Sequence, residues 1–387
     1  MTYKSTIVPL MRPSIGDEEA AAIAEVLKTG WVTQGIQVAS FEEEFAAFVG
    51  APHACAVSSC TAALHLALLG IGVGPGDEVL TVSHSFIATA NAVRYTGALP
   101  VFVDIGSTDY NMDTDLLEAA ITSKTKAILA VHQLGMPCNL EKILSIAHSH
   151  KIPVIEDAAC AIGSEIFLNG GWQRIGAPMS DAACFSFHPR KVITTGDGGM
   201  VTTRHAELAN RLKRLRQHAM TVSDLARSSS SAVSLESYDE LGFNYRMTDI
   251  QAAMGRVQLS RLPEIVARRR ALAASYEALL EGVPGLAIPR ESDWARSNWQ
   301  TYCVRLPALI NQRETMQKLL DLGVATRRAV MCAHREPAYR DLKPRFPLTN
   351  SEYAQDHGIM IPLFGEMTDA NQKLVAKALF KVLTERA

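Results

Sequence analysis

The chain has no apolar run approaching the roughly 20 residues needed to cross a bilayer. Its first residues, MTYKSTIVPLMRPSIGDEE, hold no long apolar stretch and soon turn acidic, so neither a membrane span nor a secretory signal is expected. Net charge is also small: 38 Lys and Arg against 40 Asp and Glu leave −2, which gives no electrostatic reason to expect nucleic acid or an anionic membrane as a partner. The seven cysteines are odd in number and scattered, with no CxxC pair and no histidines at metal-ligand spacing. That pattern argues against a disulfide framework or a metal site and for free thiols in a reducing cytoplasm. No internal repeat is visible.

The 387 residues, 48% of them hydrophobic and 20% charged, suffice for a sizeable core and point to two or three domains. GDEEAAAIAEVLK reads as a helix over 16–28, acidic in its first turn and basic in its last. The loop GWVTQG (30–35) leads into a second helix through SFEEEFAAFVG, with Ser40 as its expected N-cap. From about residue 53, strands and helices alternate. ACAVSS, EVLTVS, LPVFVDI, KAILAVHQLG and IPVIEDAA read as strands; TAALHLALLG, ATANAVRYTG, an acidic stretch after LPVFVDI, and NLEKILSIAHSHK read as helices. Apolar strands joined by helical connectors indicate a parallel sheet buried on both faces, hence an α/β fold. ACFSF and GMVTTR flank a polar loop, and residues 220–240, with Ser228 to Ser231 in a row, read as a loop excursion. A long helical region, MTDIQAAMGRVQLSRLPEIVARRRALAASYEALLEG, precedes a smaller α+β mixture. The domain boundary is expected near residue 260, giving a large domain over 1–260 and a small C-terminal domain over 261–387.

Two segments carry chemistry, VIEDAA and SFHPRKVITTGDGG. Asp157 ends an apolar strand, at the edge of a parallel sheet where α/β proteins bind ligands. A carboxylate there can pair with a pyridinium nitrogen and keep it protonated, which is what makes pyridoxal phosphate an electron sink. Lys191 follows another apolar strand, in a loop of small and hydroxyl residues, and lysine is the side chain that forms Schiff bases with carbonyls. Taken singly, Asp157 also reads as a helix N-cap or surface acid and Lys191 as a solvated loop lysine; the pairing is what favours chemistry.

SFHPRKVITTGDGGMVTT, VIEDAACAIG, VSSCTAALHLALLGIGVGPGDEV and GFNYRMTDIQAA together resemble the DegT/DnrJ/EryC1/StrS family of sugar aminotransferases, from GWVTQG to IPLFGEMTD. The resemblance implies a fold-type-I pyridoxal 5'-phosphate (PLP) enzyme, with a large, mostly parallel-sheet α/β/α domain and a smaller C-terminal α+β domain. It implies a homodimer with active sites at the interface, and transfer of an amino group, usually from glutamate, to a keto-sugar on a nucleotide. On this likeness Lys191 is the aldimine lysine and acid/base, and Asp157 partners the pyridine nitrogen. Ser59, Cys60 and Thr61 fall where the family binds the cofactor phosphate, as the dipole at a helix N-terminus favours. Ser186 matches a phosphate-binding serine, Phe86 the aromatic that stacks on the ring, and Asn244 a residue reaching the phosphate from the other subunit. Trp31, Thr33 and Gly35 resemble the loop framing the sugar. His334 resembles a substrate-side residue of the smaller domain, where Arg327 and Arg328 can offer guanidinium forks to a diphosphate. His188 and Arg190 face substrate or form loop surface; Lys4 and Arg12 read as surface.

Two positions depart from the family. Cys60 stands where glycine is usual, and Cys160 where glutamine or histidine usually lies near the cofactor's phenolic oxygen. Relatives with histidine in place of the lysine catalyse deoxygenation, so Lys191 favours transamination. Three alternatives remain open at this point: a transaminase of a free cyclic polyol ketone of the inosose type, a dehydrating relative that makes an aromatic amino acid, and a PLP-binding regulatory protein without turnover.

Overall fold

The computed structural model describes residues 7–222, 227–228, 231–233 and 235–384; Lys4, Ser229 and Ser230 lie outside them. A seven-stranded sheet, ordered β1-β9-β8-β5-β4-β2-β3, forms its centre. The strands are β1 (His53–Val57), β2 (Glu78–Val82), β3 (Leu99–Val103), β4 (Thr125–Val131), β5 (Val154–Asp157), β8 (Ala182–Ser186) and β9 (Gly199–Thr203). Pairing is parallel from β3 through β8. β9 runs antiparallel to both β8 and β1, because the loop carrying Lys191 returns the chain directly beside β8 without a crossover helix. The expected parallel sheet is therefore mixed at one side. A hairpin that the sequence reading lacked, β6 (Glu165–Leu168) and β7 (Gly171–Arg174), adds a small sheet with β10 (Ala295–Arg296).

Alternation along the strands sorts side chains to two faces. On β2 and β4, Leu80, Val82, Ile128 and Ala130 join one core with α2 (Ile36–Val49) and α6 (Leu140–His150). Val79, Ala127 and Leu129 point the other way, into a core with α3 (Cys60–Gly70), α4 (Ile87–Tyr95) and α7 (Ala206–Leu215). Both faces are covered, which is why the inner stretches of these strands are mostly apolar. The stretch read as an acidic helix holds only the single turn α5 (Leu117–Ala120).

α8 (Asp249–Leu280) starts at a capping box, Thr248 with Gln251. Residue 260 falls inside this helix, next to Pro263, whose missing N–H leaves one helix bond unmade. Its side chains Leu259, Leu262 and Val266 pack into the sheet core. From Leu272 onward they pack into a second core, with β11 (Tyr302–Arg305), β13 (Gly358–Ile361) and α11 (Asp369–Thr384). Ser40 is not the N-cap of α2; it lies within the helix, whose cap residue is Gly35. The orphan N–H groups of Gly35 and Val38 donate to Asp249 Oδ1 at 2.8 and 3.0 Å, and that of Gln37 to Oδ2 at 3.2 Å. A carboxylate from the start of α8 thus caps α2, doing the work expected of a local serine.

Candidate active site

A cavity of about 310 Å³ opens where β2, β4, β5 and β8 end. The connections leave β2 in one direction and β5 in the other, and such a switch point is where open α/β sheets bind ligands. The cavity is lined by Ser59, Cys60, Thr61, Phe86, Asp157, Cys160, Ser186, His188 and Lys191 of the large unit. Arg327, Arg328 and Gln300 line it from the C-terminal part of the chain.

Asp157 is 5% exposed. Its Oδ2 accepts from Thr89 Oγ1 at 2.7 Å and its Oδ1 from the Ala159 N–H at 3.2 Å. Thr89 Oγ1 in turn lies 2.7 Å from Ser85 Oγ, so a hydroxyl relay one helical turn long fixes the carboxylate. Lys191 Nζ lies 3.0 Å from Cys160 Sγ. Burial pulls the Lys191 amine down, but its bond to Cys160 Sγ and the Asp157 carboxylate outweigh it and leave it raised. Burial, followed by the neighbouring Arg190 charge, lowers His188 below its ordinary range.

The first turn of α3 faces the same space. Ser59 caps it, its side chain accepting from the Ala62 N–H at 3.1 Å, and the N–H groups of such a turn form an anion site. A Cβ on Gly199 would come within 2.5 Å of the Ser59 carbonyl carbon and 2.7 Å of Cys60 N, so the missing side chain lets this turn settle against β9. The Cys60 thiol turns down onto β8, with Sγ 3.6 Å from the Cys184 carbonyl oxygen. Burial, and then Asp157, hold it well above the ordinary thiol range, hence neutral.

These residues fit PLP: an anion cradle, a buried acid and an amine on neighbouring sheet edges, with an aromatic, Phe86, 57% exposed on the wall.

Five expected site residues, Trp31, Thr33, Gly35, Asn244 and His334, do not line this cavity of their own chain. Trp31 donates from Nε1 to the Gln34 carbonyl at 3.1 Å, and the Thr33 carbonyl accepts from Asp249 N. Asn244 is exposed and bridged to Gln217. The His334 ring is held between two side chains, with Nδ1 2.7 Å from Ser83 Oγ and Nε2 3.0 Å from Glu352. Sequence reasoning missed Thr89 and Ser85, whose only signal was their spacing of four at the start of ATANAVRYTG, and Gln300, which carried none.

A doubly wound sheet with a buried acid, a loop amine and an anion cradle at one edge defines a PLP-dependent transferase. The profile of the DegT/DnrJ/EryC1/StrS aminotransferase family matches residues 13–380, and the chain belongs to that family. It is 37% identical over 384 residues to the spore coat polysaccharide biosynthesis protein SpsC of Bacillus subtilis, covering 97% of each chain. Among solved structures it resembles the aminotransferase TlmJ of Streptoalloteichus hindustanus (TM-score 0.90, 31% identity, 98% of this chain and 100% of that one). It also resembles DesV of S. venezuelae, solved with a ketimine intermediate (TM-score 0.88, 33% identity, 98% and 99%). The chain is thus a PLP-dependent sugar aminotransferase. Among the described residues no helix is long and apolar enough to cross a membrane, and no group of side chains could hold a metal ion.

Proposed function

We propose that this enzyme moves an amino group from an amino acid, glutamate in the first instance, onto a keto-sugar attached to a nucleotide. The observation that carries the reading is basic charge gathered around the lysine. Arg190, Arg327 and Arg328 line the catalytic cavity. A second recess of about 230 Å³, sharing Met11, Arg190 and Lys191 with it, adds Arg12 and Arg268 against Glu264 and Glu366, while its Arg261 is paired with Glu19 and its Arg269 is tied to backbone carbonyls. A donor carboxylate needs one such partner; a diphosphate uses several. A free cyclic polyol ketone has no charge to match them.

PLP, when bound, supplies the electron sink that lets a proton leave the carbon bearing nitrogen. Asp157, fixed by Thr89 and Ser85, keeps a proton on the pyridine nitrogen. Ser59, Thr61, Ser186 and the first turn of α3 bind the phosphate, and Phe86 supplies an aromatic face. Lys191 would anchor the cofactor; once freed by the incoming amine, its Nζ would move a proton between substrate carbon and cofactor carbon, in one direction with the donor and in the other with the sugar. Asn244 reaches the cofactor phosphate of the second copy in a homodimer, and Trp31 and Thr33 frame the sugar. The enzyme works in the cytoplasm, where nucleotide-linked sugars and free thiols coexist.

The test is a panel of amino donors against nucleotide-linked keto-sugars and free inososes, followed by mass spectrometry. Replacement of the ketone oxygen by an amine on the nucleotide-linked substrate is expected. Amination of the free ketones alone would overturn the reading.

A further inference from the structure

The segment Ser297–Thr301 joins the C-terminal core to the two loops that meet at Lys191. The Asn298 side chain, fully buried, donates from Nδ2 to the carbonyls of Cys160 and Ile162, each at 2.8 Å, while its Oδ1 accepts from the Gln300 N–H at 2.8 Å. Its own N–H donates to Ser164 Oγ at 2.9 Å. Two residues on, Gln300 Nε2 donates to the Arg190 carbonyl at 2.9 Å, and its Oε1 accepts from Thr301 Oγ1 at 2.8 Å. One short stretch therefore grips the backbone of Cys160 from one side and the residue preceding Lys191 from the other, and the Cys160 and Lys191 side chains are in contact at 3.0 Å.

The grip is itself held. Arg269, 7% exposed, donates to the carbonyls of Trp299 (2.9 Å), Gln300 (2.6 Å) and Leu363 (3.2 Å). Trp299 between the two amides has φ +52°, which a bulky side chain rarely adopts, and its ring stacks on Tyr302 of β11. Space for Asn298 comes from Gly135 at φ +99°, where any side chain would run into Asn298 Oδ1. Packing alone would not require two amides whose donors all go to the loops flanking the reactive amine.

We propose that Asn298 and Gln300 are positioning residues that set the place of the Lys191 amine against Cys160, so that seating of the C-terminal unit controls attachment of the cofactor. This rests on the reading of Lys191 as the anchoring lysine.

The test follows covalent attachment by absorbance after mixing cofactor-stripped protein with PLP, across pH, in wild type, Q300A and N298D. Asn298→Asp is nearly isosteric but cannot donate to the two carbonyls; Gln300 lies near the surface, so its alanine variant keeps the core intact if Asn298→Asp does not fold. Attachment at least about tenfold slower is expected, in Q300A at an unchanged melting temperature and in N298D by more than its lost stability explains. In Q300A the pH inflection should move lower, because the amine sits less firmly against Cys160, the contact that holds it raised. A folded Q300A with wild-type rate and inflection overturns the proposal, as does slowing that merely tracks lost stability. The underlying reading is tested separately: a Lys191→Ala protein that still attaches PLP covalently removes Lys191 itself from the account, whatever the Q300A rate.

Discussion

Replacing Asp157 with asparagine removes one charge and almost nothing else. The side chain is 5% exposed, and its two oxygens are occupied by Thr89 Oγ1 and the Ala159 N–H. An amide can keep one of those contacts through its remaining oxygen, so the fold should survive. What it cannot do is hold a proton on a pyridine nitrogen. A unit charge facing another at about 4 Å, in the effective dielectric near 20 typical of protein sites, is worth about 4 kcal/mol. If that stabilisation is felt mainly in the transition state, kcat should fall by about a thousandfold. Thr89→Val removes a bond to the carboxylate but leaves the charge, so its cost should be only about 1.5–3 kcal/mol. Single-turnover conversion of the bound cofactor by glutamate, followed by absorbance, measures the step directly. The ordering matters as much as the size: D157N slowest, T89V intermediate. A D157N enzyme that binds PLP and reacts within tenfold of wild type would refute the reasoning.

Other consequences are independent of that one. His334→Ala should lower stability by about 1–3 kcal/mol, since its buried ring ties Ser83 to Glu352, yet leave the affinity for substrate unchanged; denaturant melts and KM measure the two. Gly199→Ala forces a methyl against the Ser59–Cys60 peptide, so PLP affinity should drop at least tenfold by fluorescence titration. His84 is fully buried and, among the described residues, neither ring nitrogen has a partner; burial lowers it from 6.5 to about 4. Between those values the unfolded chain takes up a proton that the folded one refuses. Stability should therefore fall by up to about 3 kcal/mol as pH drops from 6.5 to 4, and His84→Leu should flatten that window in urea melts taken at each pH.

Local pattern was legible where local physics decides. The strand runs EVLTVS, KAILAVHQLG and IPVIEDAA stand out because both sheet faces are covered, and MTDIQAA announces α8 because Thr248 and Gln251 cap it in sequence. The cap of α2 was misread because the donor groups there are met by Asp249, more than two hundred residues away; no window of sequence contains both. The direction of β9 was hidden for a similar reason: GMVTTR looks the same whether the loop before it crosses over or doubles back. At the site, Asp157 and Lys191 are named by strand ends and residue type. Thr89, Asn298 and Gln300 act through bonds that only the folded chain brings together, and nothing in SNWQT distinguishes them from ordinary polar residues. His334 drew notice through its surroundings in sequence, and only the fold shows its ring held between Ser83 and Glu352.

The most direct measurement reduces the PLP-loaded protein with borohydride, digests it and maps the pyridoxyl group by mass spectrometry. The account predicts a single modified peptide spanning SFHPRKVITTGDGG, with the added mass on Lys191 and none in a protein carrying alanine there. Modification on any other lysine, or a reduced protein without a fixed pyridoxyl group, contradicts it.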